Sequence, residues 1–286
     1  MKIPHLDVDP PFAEGKTKCV YAIPGEPGDC VVVSKDDITA RDGAKHDILP
    51  GKAAWATTTT RNAFGVLKNL HRPLPVAFEE QLSDTSFKAK LCDMLPFEVV
   101  VRHEAYGSYL KRHPNVEKGT KFYEYKCEFF LKTSGRRFKQ FEFPVNDPLV
   151  VYSNDGREKV LHVHHPDKPL ESDESFIMTI PMKEIIDGDQ FEMLFWTMKE
   201  HAISAFILLE GAWQRVGGRL VDFKVEFGID NLEQLLLADV IDNDSWRVMM
   251  DEQHLDKQQY RDGTALDEVA ARYKLVAELT SSPNFK

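Results

Sequence analysis

Three charged residues recur at every second position in the run from Gly217 to Asp230: Asp222, Lys224 and Glu226, separated by Phe223 and Val225 and flanked by Val221 and Phe227. On a β-strand, side chains two apart share a face, so such a strand carries an acid, a base and an acid at roughly 7 Å intervals, with apolar residues on the other side. A row of that length and chemistry can follow a nucleotide-sized ligand. The competing reading is an edge strand whose outer face is simply solvated.

Other polar residues are spaced for phosphate. Lys16 and Lys18 flank Thr17 beside Gly15, and on one strand they would project together next to a residue that allows close backbone approach. The Gly-Lys-x-Lys pattern lacks the spacing of a Walker loop, so by itself it is equally an exposed basic turn. In the run Leu95 to Ser108, Glu98, Val100 and Arg102 share one strand face, and the strand leads into Gly107-Ser108. Guanidinium, hydroxyl and backbone N–H can grip a phosphate together, although a lone Arg at a strand end also serves structural ion pairs. Asp36 to Gly43 crowds three carboxylates around Arg41 and reads as a solvated turn. The cluster His162-Val-His-His165 could hold a metal, but no carboxylate or Cys completes a familiar spacing, and a surface hairpin fits better.

Composition limits the ligands. The chain has 286 residues, with 36 Lys and Arg against 46 Asp and Glu, a net charge of −10. General attraction to a nucleic acid polymer or an anionic membrane is not expected, and an anionic ligand needs a local basic pocket. Cys19, Cys30, Cys92 and Cys127 are scattered, which argues against a disulfide framework or a structural zinc. The N-terminal residues lack the apolar core of a signal peptide, and no run approaches membrane-spanning length, so the expectation is a soluble cytoplasmic protein.

The elements that position these residues follow from periodicity. Phe12 to Tyr21 and Cys30 to Ser34, joined by the turn-rich Pro24 to Gly28, read as a hairpin. Ala54, Trp55, Phe64, Leu67 and Leu70 suggest a helix from Gly51 to about Leu70, despite four threonines at 57 to 60 that lose rotamer freedom there. From Asp189 to Val216 the apolar residues recur at three- and four-residue intervals, and Gly217-Gly218 supplies the stop. The charged strand follows at once. Leu235 to Asp239 reads as a further buried strand, and Leu266, Val269, Ala270, Tyr273, Val276 and Leu279 mark a C-terminal amphipathic helix.

Three segments together resemble one family, the phosphoribosylaminoimidazole-succinocarboxamide synthases, or SAICAR synthetases. They are Glu14 to Tyr21, Leu95 to Arg102 with Ala105 to Ser108, and Leu220 to Gly228, in the family's order. The resemblance implies an ATP-dependent ligase of purine biosynthesis. It joins the carboxylate of carboxyaminoimidazole ribonucleotide (CAIR) to the amine of L-aspartate, through an acyl phosphate, with ADP and phosphate released. It also implies Lys16, Lys18, Met94 and Lys132 around ATP, with the backbone of residues 93–95 beside the adenine. Arg102, Ser108 and Arg247 would hold the CAIR phosphate, Asp222 and Lys224 would be catalytic at the imidazole nucleotide, and Glu226 and Asp239 would bind Mg²⁺. Asp37, Thr39 and Asp42 would line the substrate side. The chain departs from the family at Val240 and at Asp242-Asn243-Asp244, where an acidic residue and Ser-Pro-Asp are usual, and the segment from 133 to about 170 diverges.

The expected fold is α+β, with an N-terminal antiparallel β layer and a kinase-like ATP site at a central α/β portion with C-terminal helices alongside. Its domains would be 1–95, a β-rich part binding the ATP phosphates; 96–255, binding substrate and metal; and a helical segment, 256–286. A small-molecule kinase of related fold and an inactive nucleotide-binding protein are the alternatives, and homo-oligomerisation is left open.

Overall fold

The computed structural model describes residues 10–40, 44–69, 73–154, 158–186 and 191–286. The chain packs as two units. The first comprises Met1–Asp93, Ile207–Leu220 and Gly228–Lys286, and the second Met94–Phe206 and Val221–Phe227.

The first unit begins with β1 (Ala13–Glu14), β2 (Lys18–Ile23) and β3 (Glu26–Ser34). Next come β4 (Asp37–Ala40), β5 (Lys45–Ile48), α1 (Lys52–Lys68), β6 (Phe78–Ser83) and β7 (Ser86–Lys90). Five strands form an antiparallel sheet in the order β1-β2-β3-β7-β6. The expected single strand from Phe12 to Tyr21 is instead two strands, because the backbone turns tightly at Gly15 to Thr17, with Gly15 N–H donating to Lys18 O at 2.9 Å. Lys16 therefore lies on the turn and Lys18 on β2, not side by side on one strand.

A second correction concerns Asp36 to Gly43. Residues 37 to 40 pair with 45 to 48 as a hairpin, β4 with β5, because Ile38 and Ala40 alternate inward with Asp37 and Thr39. Asp42, with Arg41 and Gly43, lies outside the described residues, as does Leu70 at the expected end of the helix. Helix α1 starts after Gly51, whose φ of 89° favours glycine, and the Asp36 carboxylate caps it by accepting the Ala53 N–H at 2.9 Å. Its threonines are tolerated because Thr57, Thr59 and Thr60 are buried and two find partners: Thr57 meets Ser34 Oγ at 2.8 Å, and Thr60 donates to Ile241 O.

The second unit holds β8 (Asp93–Glu104), α2 (Ser108–Arg112), β9 (Lys121–Leu131), and a small hairpin of β10 (Arg137–Phe138) and β11 (Phe141–Glu142). It continues with β12 (Leu149–Asn154), β13 (Lys159–His164) and β14 (Phe176–Pro181). The segment expected to be a surface hairpin contributes β12 and β13, and β14 follows it; the three pair antiparallel in turn, with β12 on β9 and β9 on β8. Its alternation of Leu161 and Val163 with His162 and His164 puts apolar residues inward and the histidines outward. His162 Nδ1 lies 3.1 Å from Thr179 Oγ1, and His164 Nδ1 lies 3.4 Å from Ser175 Oγ.

Helix α3 (Phe191–Arg215) and strand β15 (Arg219–Ile229) contribute to both units. In the second, Phe195 stacks on Phe129 with ring centroids 4.0 Å apart, and Phe206 meets Phe223 of β15 edge-on at 5.4 Å. In the first, Trp213 is fully buried against Trp246 and Phe285. The Gly-Gly stop has two separate causes. Gly217 takes φ of 81°, and at Gly218 an added Cβ would lie 2.6 Å from Trp213 Cε3.

The first unit closes with β16 (Leu235–Ala238), β17 (Trp246–Met250), β18 (Gln253–His254), α4 (Gln258–Asp262) and α5 (Leu266–Thr280). The loop between β16 and β17 is fastened by charge. Asp244 Oδ2 accepts from Lys257 Nζ at 3.0 Å and lies 3.7 Å from Lys52 Nζ, while Oδ1 accepts from the Tyr273 hydroxyl of α5. Desolvation opposes ionisation of Asp244, but Lys52 and Lys257 outweigh it and hold its carboxyl well below the usual range. Burial and the Asp244 charge push the neighbouring Asp242 up.

Gly218→Ala is expected to lose about 1–3 kcal/mol through overpacking against Trp213, read from urea unfolding. Asp244 has a folded pKa below its unfolded value, so its stabilisation is complete above that unfolded value and fades as pH falls through the folded one. Asp244→Asn should lower stability at neutral pH by about 3–5 kcal/mol and flatten the acid limb of melting temperature against pH. A variant with the parent's acid limb would remove Asp244 from that role.

Candidate active site

The charged row of β15 is not a solvated edge. Asp222 and Glu226 are each 7% exposed, so both acids of the row are buried, while Lys224 between them is only half-buried. Charges at that depth need partners, and the partners alternate in sign with the row. Arg102 Nη1 donates to Asp222 Oδ2 at 2.6 Å, Lys224 Nζ donates to Glu98 Oε1 at 2.6 Å, and Lys132 Nζ donates to Glu226 Oε2. Glu98 and Arg102 lie on the same face of β8, and Lys132 follows β9 directly. Acid-base-acid on β15 is thus answered by base-acid-base.

Arg102 is the most enclosed member. Its Nε donates to Glu128 Oε2 at 2.7 Å, Nη1 also reaches Tyr106 O, and Nη2 reaches Ser108 Oγ at 3.3 Å. Burial works against its charge, yet Asp222 and Glu128 outweigh it and keep the guanidinium pKa above its ordinary value. Glu128 in turn accepts from Arg112 Nη2 at 2.5 Å. Burial pushes the Glu128 carboxyl up, and the two guanidinium groups more than reverse this, leaving it below the usual range. Ser108 is placed by Gly107, whose φ of 60° lets the chain turn from β8 into α2.

Arg102, Ser108 and Asp222 are therefore gathered at one place. Glu128 and Arg112 were missed by sequence reasoning. The signal for Glu128 was a single acid inside the apolar run Cys127 to Leu131, which demands a partner. Arg112 offered none, since a basic residue in a last helical turn is commonplace.

In the first unit Lys18 on β2 forms an ion pair with Asp239, which follows β16 in a left-handed conformation with φ of 65°. Lys16 lies on the preceding turn, and Arg247 is half-buried on β17 of the same unit. Asp37 Oδ1 meets His46 Nε2 at 2.7 Å, and Thr39 pairs with His46 across the hairpin. In the second unit Met94, the second residue of β8, is exposed, and the Lys224 and Lys132 side chains are each about two-fifths exposed.

No group of three or more His, Cys, Asp or Glu side chains among the described residues converges as a metal cluster. Glu226 in the second unit and Asp239 in the first each carry carboxylate oxygens, the donor type of a hard cation. They supply oxygen only, and each already holds a cation, the Lys132 or the Lys18 ammonium. Magnesium is commonly held by one or two carboxylates, with phosphate and water oxygens completing its shell, so each carboxylate by its chemistry fits that ion.

The family model for SAICAR synthetase matches residues 11–139 and 166–278. A phosphoribosylaminoimidazole-succinocarboxamide synthase from Roseiflexus castenholzii is 36% identical over 279 residues, covering 95% of this chain and 96% of its own length. Two solved structures share the fold. The synthase from Ehrlichia chaffeensis has a TM-score of 0.70 and 24% identity, covering 95% of this chain and 98% of its own. A SAICAR synthetase in complex with ADP has a TM-score of 0.68 and 24% identity, covering 94% and 97%. The charge ladder thus stands on Leu220 to Gly228, one of the three segments that resemble the family, and the chain belongs to the SAICAR synthetase family.

Proposed function

We propose that this chain is the ATP-dependent ligase that condenses CAIR with L-aspartate to SAICAR in purine biosynthesis, working in the cytoplasm. The observation that carries the reading is the β15 ladder in a chain of this family.

The chemistry needs what the ladder supplies. A carboxylate is a poor acyl donor, so its oxygen first takes the γ-phosphoryl group of ATP, giving an acyl phosphate and ADP. The aspartate amine then attacks the acyl carbon, the C–N bond forms, phosphate leaves with the electron pair of the broken C–O bond, and the amine gives up a proton. Both steps move negative charge between oxygens, and fixed cations that need no reorganisation favour them. Arg102 and Ser108 bind the CAIR phosphate, and Arg247 is the further residue that the family resemblance assigns to it. Asp222 and Glu128 hold the Arg102 guanidinium through their hydrogen bonds, and Asp222 and Lys224 contact the imidazole nucleotide. Lys16, Lys18 and Lys132 serve the ATP phosphates, and the backbone of residues 93–95, with Met94 at its centre, lies beside the adenine. Glu226 and Asp239 would hold Mg²⁺, which on binding neutralises charge on the β- and γ-phosphates. Lys132 and Lys18 exchange their carboxylate partners for phosphate when the nucleotide arrives. Asp37 and Thr39 line the substrate side.

Incubation with MgATP and CAIR, with and without aspartate, tests the reaction. Aspartate-dependent ADP release with SAICAR formation is expected. A phosphorylated product without aspartate dependence would make the protein a kinase, and nucleotide binding without turnover an inactive relative. Ser108→Ala should raise the KM for CAIR about tenfold with little change in the KM for ATP, because it removes a phosphate contact and leaves the Arg102 ion pairs in place. Equal KM values in variant and parent would free Ser108 of that role. Glu226→Gln should cut kcat by about a hundredfold or more while the circular dichroism spectrum stays unchanged; near-normal turnover would take Glu226 out of the metal site.

A further inference from the structure

The family model does not match residues 140–165, which contain β12 and β13. That segment enters the sheet beside β9, pairing Leu149 with Phe130 and Val150 with Phe129. Immediately before β12 it reaches back to the residues flanking Lys132. Thr133 N–H donates to Asp147 Oδ1 at 2.8 Å, the Thr133 hydroxyl lies 3.2 Å from the same oxygen, and Asp147 N–H donates to Thr133 Oγ1 at 3.0 Å. On the other side of Lys132, Leu131 N–H donates to Pro148 O at 2.9 Å. The Lys132 N–H itself donates to Pro96 O, before the ladder residues of β8.

Asp147 adopts φ of 45°, left-handed for a non-glycine, and it precedes Pro148, where that conformation is further disfavoured. Such a backbone persists only where its surroundings over-determine it. Here the three bonds with Thr133 do so. The segment is therefore more than an added pair of strands, because its entry residue fastens the backbone that carries Lys132.

We propose that Asp147 is a positioning residue for Lys132: through the reciprocal clasp with Thr133 it holds the backbone from which the Lys132 ammonium reaches Glu226 in the free protein and the ATP phosphates in the complex. This rests on Lys132 serving the nucleotide, as read above. The clasp sets where the lysine starts, so a long flexible side chain reaches its target with less conformational entropy to lose.

The test uses the full chain and four variants, reading the KM for ATP, kcat and ADP affinity by calorimetry. Lys132→Ala sets the scale. Asp147→Ala is expected to raise the KM for ATP and weaken ADP binding about five- to tenfold, with the KM for aspartate unmoved. Asp147→Asn should restore the parent values, since its amide oxygen can accept both Thr133 bonds and its backbone N–H is unchanged. Thr133→Val, which deletes only the hydroxyl, should shift ATP in the same direction by less, and it keeps the test informative if Asp147→Ala fails to fold. If Lys132→Ala weakens ATP and neither Asp147→Ala nor Thr133→Val does, the positioning role is overturned while the nucleotide role of Lys132 stands. If Lys132→Ala itself leaves ATP and ADP unchanged, the nucleotide role fails and the inference falls with it. A loss in Asp147→Ala that Asp147→Asn does not recover would also overturn it.

Discussion

The arrangement depends on the register of β15 within its unit. Asp222, Lys224 and Glu226 meet Arg102, Glu98 and Lys132, and each partner has the opposite charge. Because the side-chain period of a strand is two, a slip of one residue would turn all three charges to the face that holds Phe223 and Val225. Three ionic groups would then face an apolar core under α3. That penalty is large compared with the net stability of a domain, so one register is strongly selected. The same alternation that could line a ligand thus also specifies the pairing of the strand.

The ion pairs are expensive as stabilising devices. Removing Arg102, Glu128 and Arg112 from water costs several kcal/mol per ion, and hydrophobic residues of similar volume often do as well. Their worth lies in geometry. Arg102 is held by Asp222 on one side and Glu128 on another, and Glu128 is held in turn by Arg112, so the guanidinium next to Ser108 has little freedom. In the first unit Asp244 fastens the loop between β16 and β17 through two lysines and the Tyr273 hydroxyl. Where the family usually has Ser-Pro-Asp, this chain uses side-chain bonds. Asp242 Oδ1 accepts the Asp244 N–H at 2.9 Å, and Asn243 Nδ2 donates to Leu255 O at 3.0 Å.

Much of this was legible one element at a time. The threefold and fourfold spacing from Phe191 to Trp213, and from Leu266 to Leu279, leaves a helix as the only way to bury those residues on one side. The alternation from Leu220 to Phe227 likewise requires a strand. Local chemistry misled where a short polar run hid two inward residues, as at Ile38 and Ala40. It also misled where one glycine permitted a turn inside an apparent strand, as at Gly15. At Ile38 and Ala40 the pairing with residues 45 to 48, beyond the polar run, decided the outcome, and at Gly15 the bond from its N–H to Lys18 O did.

The amino-acid sequence by itself determined the residue types available for chemistry, the periodic elements that bear them, and, through three short motifs, the family. These depend on neighbours along the chain. Only the tertiary structure decided that Glu128 and Arg112 support Arg102, that Lys132 meets Glu226, that Lys18 meets Asp239, and that Asp147 clasps Thr133. Those pairs are separated by up to 221 positions (239 minus 18) in sequence, and no local propensity encodes such a meeting. Register and burial do, since a charge drawn out of water by the packing of its strand settles where another element presents its opposite.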